Sequence, residues 1–191
     1  MAEFAEIASS MDDYLKILAH TSAARDSRNL ATQSAVKHPE NLILLCEHAF
    51  DPTSKLHRQA CMVLDLAVES DAKIILPQVD GFTRSLQRLR NESAIRVMSR
   101  ICLTIVKRIQ VAEMHQQLIS EACFDWLIGT HKVASKSNAI YCLVILARTN
   151  LWIESELRNI LDKDFSSGTA AYKAATKYAL KKLDACRQKN T

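Results

Sequence analysis

The residues most able to do chemistry in this chain are its six histidines and six cysteines, and their spacing decides what they can do. A helical metal half-site needs two ligands three or four positions apart, so that both rise from one face. His20, His38, His48, His57, His115 and His131 contain no such pair, and Glu47 and His48 are neighbours that point apart. No H-E-x-x-H and no C-x-x-C occurs. Cys46, Cys61, Cys102, Cys123, Cys142 and Cys186 stand singly, most of them at apolar helical positions, where a free thiol packs as a small hydrophobe. The expectation is no metal site, and reduced core thiols in a cytoplasmic protein.

Phosphate-cradling and nucleophile-elbow motifs are missing as well. The chain has three glycines, too few for a Gly-rich loop, and no G-x-x-x-x-G-K, G-x-G-x-x-G or G-x-S-x-G. None of the cysteines has a local feature that would make it a thiolate. No catalytic residue and no cofactor is expected.

Basic residues are the remaining lead. Arg96, Arg100 and Lys107 stand at i, i+4 and i+11, which puts them on one side of a helix. Lys173, Lys177 and Lys181 form a similar stripe near the end of the chain. These six are the candidate partner-binding residues. Charge is uneven along the sequence: residues 1–80 hold 7 Lys/Arg against 12 Asp/Glu, and residues 81–191 hold 18 against 9. A net of −5 thus precedes a net of +9, a polarity that can steer an anionic partner.

The elements that must position these residues follow from composition and punctuation. Three Gly and three Pro in 191 residues are too few for the turns of a strand-rich fold, and nearly half the chain is apolar, so an all-α fold is expected. The acidic start MAEFAEIASSMDDYL has neither a basic region nor a continuous apolar stretch, so no signal peptide is expected, and no apolar run is long enough to cross a bilayer.

Ser10 is expected to cap a helix over 11–20, with Asp13 completing a capping box. A second helix is expected over 24–37, with Leu30, Ala31, Ser34 and Ala35 on its inner face. Pro39 opens a third at its first position. Asp51-Pro52 repeats the device for a helix reaching Ser70 and burying Leu56, Ala60, Val63, Leu64 and Ala67. Asp71 opens the next, interrupted by Pro77. Asn91 ends that helix or caps one over 93–110. Further helices are expected over 117–128, stopped by a left-handed Gly129, then from Ser135 or Ser137 to Arg148, over 152–161, and over 169–187.

Four helical windows stack without gaps: LHRQACMVL (56–64), IRVMSRICL (95–103), NAIYCLVIL (138–146) and YKAATKYAL (172–180). Their fifth, eighth and ninth places read Ala60/Val63/Leu64, Ser99/Cys102/Leu103, Cys142/Ile145/Leu146 and Thr176/Ala179/Leu180. The last leucines lie 39, 43 and 34 residues apart, so the unit is a helical hairpin of about 40 residues.

On these residues the chain resembles HEAT-repeat proteins. Ile95-Arg96 followed by Ser99, Cys102 and Leu103 matches the family's second helix, and PQVDGFTRSLQRL (77–89) matches a first helix. The third and fourth windows lack the Arg. The resemblance covers Pro39 to Arg187 and implies an α-α superhelix, a HEAT/armadillo-like solenoid of about ten helices in stacked hairpins. The chain is then one domain, 1–191: an N-terminal helical pair over 1–38, about four repeats over 39–187, and a tail over 188–191. Tetratricopeptide and ankyrin signatures are absent.

The resemblance implies a non-enzymatic scaffold or adaptor whose concave surface takes a protein or an acidic peptide. In register, Arg96 aligns with Lys173 and Arg100 with Lys177. The third window interrupts this ladder with Ala139, Leu143 and Ala147, and the first offers His57, Cys61 and Asp65. One alternative is nucleic-acid binding, because some HEAT-like proteins are glycosylases of alkylated DNA that set Trp and Asp beside basic residues. Asp125, Trp126, Arg148 and Trp152 are the residues to test, although Trp126 shares a face with Ile119, Ala122, Cys123 and Leu127 and is expected in the core. Another alternative is a structural subunit of a larger assembly.

Overall fold

The computed structural model describes residues 2–166 and 168–187. Residues 188–191, expected as a tail, lie outside them, as does Ser167. Among the described residues there are ten α-helices and no strand. The chain gathers into two compact units, with the boundary between Met98 and Ser99.

The first unit contains α1 (Ala2–Ala19), α2 (Arg25–Lys37), α3 (Pro39–Phe50), α4 (His57–Ser70) and α5 (Val79–Ser85), and the start of α6 (Glu92–Arg108). α1 packs on α2 and α3, α2 on α3 and α4, and α3 on α4 and α5. Tyr14, Leu18, Leu45, Leu64, Ile75 and Phe82 are buried at its centre. A fully buried Leu or Ile of this kind stabilises the fold by about 1.5–3 kcal/mol. Phe50 and Phe82 meet edge to face at 6.0 Å. Arg88 donates to the Phe50 carbonyl at 3.1 Å, satisfying an acceptor that the end of α3 leaves open.

Several element starts differ from expectation, each for a local reason. α1 begins at Ala2, so position 10, the expected start, lies inside it. Leu30 is exposed, and α2 buries Ala31, Thr32 and Ala35. Pro39 does open α3. Asp51 does not open α4: its carboxylate accepts from the Thr53 backbone N–H at 2.9 Å and the Thr53 hydroxyl at 2.7 Å, which holds Pro52 in a turn. α4 therefore starts at His57, with Leu56 half-buried ahead of it. Asp71 caps as expected, accepting from Lys73 N–H at 2.9 Å, but the segment it opens is 3₁₀ over Ala72–Gln78. Pro77 has no N–H to return to Lys73, so an α-helical ladder would leave that carbonyl unpaired.

The second unit contains the rest of α6, then α7 (Glu113–Ile128), α8 (Val133–Leu146), α9 (Leu151–Asp164) and α10 (Ala170–Arg187). Asn91 is a cap rather than a stop: its Oδ1 accepts from Ser93 and Ala94 N–H at the head of α6. α7 and α8 pack as a pair, α9 lies on both, and α10 packs on α8 and α9. Ile105, Ile119, Leu127, Leu143 and Leu157 fill the centre, and Trp126 is buried as expected. Gly129 ends α7 without a left-handed turn, at φ −68 and ψ 174. Its lack of a side chain matters for closeness instead: a Cβ there would lie 2.9 Å from the Asp125 carbonyl oxygen and 2.9 Å from the His131 ring.

Candidate functional site

α6 is wrapped by buried side chains over most of its circumference, Ile95, Met98, Ile101, Cys102 and Ile105 among them. The residues it leaves outward are few, and Arg96, Arg100 and Lys107 are three of them, all exposed. At 100° per residue they fall within an arc of about 40°. By helical spacing the three share one side, Arg96 belonging to the first unit and Arg100 and Lys107 to the second. The lysines of α10 are less uniform. Lys177 and Lys181 are exposed, whereas Lys173 is half-buried with its ammonium 5.9 Å above the Phe165 ring.

Two residues that sequence reasoning passed over join the α10 lysines. Tyr178 is 48% exposed and meets Tyr141 of α8 edge to face at 5.1 Å. Lys182 holds its ammonium 5.6 Å from the Tyr178 ring centroid, a cation–π contact. The signal was available: Tyr178 stands three residues before Lys181 and four before Lys182, on the same side of the helix. Asp184 is engaged elsewhere, at 2.8 Å from Arg158 of α9. Arg158 also binds Glu154 at 2.9 Å.

The other windows do not extend the ladder on the surface. His57, Cys61 and Asp65 are buried, as are Ala139, Leu143 and Ala147. His57 and Cys61 resemble a nucleophile and its base, but their geometry is wrong for that role. The Cys61 sulfur is 3.8 Å from Nδ1 and 3.9 Å from Nε2, so it faces neither nitrogen in line. Its thiol donates to the Ala49 carbonyl, and burial pushes its pKa up to about 12. Such a thiol packs and does not attack. Cys102, Cys123 and Cys142 form a second buried group; the hydrogen bond to Cys142 and then burial raise the Cys123 thiol, and burial raises that of Cys102. All six cysteines are free, and only Cys186 is not fully buried. Among the described residues no group of three or more His, Cys, Asp or Glu is arranged to hold a metal. No described helix is long and apolar enough to cross a membrane.

The second unit also holds a groove of ≈ 520 Å³ at the starts of α7 and α9, lined by Glu113, Gln116, Gln117, Asn150 and Trp152. Trp152 is half-exposed, its ring 5.6 Å from Phe124 and tilted 33°. An adjoining groove of ≈ 280 Å³ shares Gln116 and Thr149 and includes Arg148. Of the four residues a base-excision site would combine, Arg148 and Trp152 thus line neighbouring grooves. Asp125 is exposed on α7, and Trp126 is in the core.

These features define an all-α protein with cationic outer arcs. Comparison with protein-family models, with curated proteins and with solved structures finds no match for the chain.

Proposed function

We propose that this chain is a non-enzymatic interaction protein built on HEAT-like helical hairpins, which captures an acidic segment of another protein through its cationic arcs. The observation that carries the reading is the outward strip of α6. A helix buried on most of its surface has few positions left to face water, and here Arg96, Arg100 and Lys107 are three of them. Division at the unit boundary keeps the sign of the asymmetry with a smaller contrast: the first unit has 11 Lys/Arg against 13 Asp/Glu, and the second 14 against 8. Such a field raises the encounter rate with an anionic partner.

The repeat reading draws on the paired helices α3/α4 and α7/α8, and on burial at the stacked positions, where only Ile145 and Leu180 are half-exposed. A reducing, cytoplasmic setting agrees with six free cysteines. The test is charge reversal at Arg96 and Arg100 together, followed by pull-down of bound proteins and salt-titrated affinity for them. Loss of capture with unchanged helicity supports the reading. Capture that is unaffected removes the α6 strip from it.

A nucleic-acid reading is favoured by one observation, the half-exposed Trp152 in a groove adjoining Arg148. Binding to duplex and single-stranded DNA measured at 50 and 200 mM salt separates the two. A steep salt slope with DNA, together with weaker binding by the Trp152→Ala variant, would favour the second.

A further inference from the structure

We propose that the outward face of α10 is a docking surface for an acidic amphipathic helix of a partner protein. This rests on the interaction reading above and names the partner's chemistry at one of its surfaces.

The face has a composition that is unusual for a solvated helix. α10 buries Tyr172, Ala175, Thr176, Ala179 and Leu183. The opposite arc runs through Ala171, Ala174, Tyr178 and Ala185, all exposed. Lys177 and Lys181 border this strip on one side and Lys182 on the other. Three alanines and a tyrosine make a low ridge that another helix can approach closely, with ammonium groups on both flanks. The helix carries one acid, Asp184, and Arg158 already binds it at 2.8 Å. The flanking lysines consequently have no carboxylate of their own helix to answer them.

Spacing identifies the shape of the occupant. Lys177 and Lys181 are like charges at i,i+4, an arrangement that works against the helix. Carboxylates rising at the same interval of about 6 Å relieve that repulsion, and a helix with Glu or Asp at i and i+4 supplies them. The aromatic ring argues against a nucleic acid here. Lys182 sits over the Tyr178 ring and Tyr141 braces it edge to face, so a base has no open platform of the kind that single-strand binding uses. The phenol and the ammonium groups are instead donors for carboxylates.

The experiment uses the whole chain and a fluorescent 21-residue helical peptide with Glu at i,i+4 on both edges of an Ala/Leu stripe. Two controls accompany it: a peptide of the same composition with the Glu residues redistributed around the helix, and a dT20 oligonucleotide. Anisotropy should show binding of the patterned peptide at least tenfold tighter than either control. Lys177→Glu with Lys181→Glu should weaken it by tenfold or more, and Ala174→Gln should weaken it by a similar factor while leaving the charge unchanged. Circular dichroism on each variant excludes unfolding as the cause. Equal binding of the redistributed peptide, tighter binding of dT20, or no binding of the patterned peptide overturns the proposal. If the α10 variants bind as the parent does while Arg96→Glu/Arg100→Glu abolishes capture of the protein partner, the interaction reading stands and this docking surface falls.

Discussion

Arg158→Met should be among the most damaging single substitutions on the second unit. The guanidinium bridges two carboxylates that differ in burial: Glu154, whose side chain is 6% exposed, and Asp184, at 62%. Removal of the cation leaves the Glu154 charge in the interior without its 2.9 Å partner. Breaking a buried pair in this way costs about 3–5 kcal/mol. Arg158 is itself 20% exposed and Glu154 has a further interaction, so water and that partner recover part of the loss. About 2–3 kcal/mol is the expected destabilisation, a factor of roughly 30–150 in the folded ratio. Asp184→Ala removes a largely solvated partner and should cost under about 1 kcal/mol. Guanidinium titration followed by circular dichroism measures both, and Glu154→Gln/Arg158→Met should recover most of the loss. A cost under 1 kcal/mol for Arg158→Met, or an equal cost for Asp184→Ala, would refute the burial argument.

Native-state alkylation followed by mass spectrometry should label Cys186 first and leave the other five thiols unmodified until the chain is unfolded, because Cys46 and Cys61 are pushed up to about 12 and Cys102 and Cys123 are also raised by burial or their thiol neighbours. Gly129→Ala should destabilise by about 1–3 kcal/mol, since the added methyl meets a backbone oxygen at 2.9 Å that cannot rotate away; a thermal or chemical melt reads the change. The Asp51 carboxyl should titrate below the usual carboxylate range, chiefly through the Thr53 side-chain hydrogen bond and then its backbone N–H. A depressed pKa of this sign contributes stability above the unfolded value that is lost as pH falls through the folded one. Carbon-detected NMR titration of the parent and of Thr53→Val should show the pKa rise when the hydroxyl is removed.

Helix existence was legible in the sequence because amphipathic spacing and low Gly and Pro content act over many residues at once. Starts were harder, since each turns on one side chain with two uses. Asp51 can cap a helix or close a turn, and the Thr53 hydroxyl two residues on decides for the turn. Asp71 had the same choice and capped, yet Pro77 converted what followed to 3₁₀. Gly129 was read for its freedom at positive φ, but its packing against Asp125 and His131 is the reason a side chain does not fit. The candidate surface was legible as a list of cations. That Lys173 lies on Phe165 and Lys182 on Tyr178 depends on tertiary neighbours, which spacing along one helix does not contain. The stacked windows likewise aligned His57 and Cys61 with Arg96 and Arg100, although the first pair is buried and the second exposed.

The exposed alanines of α10 have a consequence for how the chain folds. Ala, Leu and Lys are strong helix formers, and α10 holds six Ala, four Lys and no Gly or Pro. Eighteen residues of that kind exceed the length at which an isolated helix in water becomes marginal. Its face needs no tertiary partner to keep its shape, so the segment can be helical before α8 and α9 receive it. Local structure of this sort closes no long loop and forms within microseconds. α10 is therefore suited to be an early template in the assembly of the second unit, present while the buried thiols of its neighbours are still in contact with solvent.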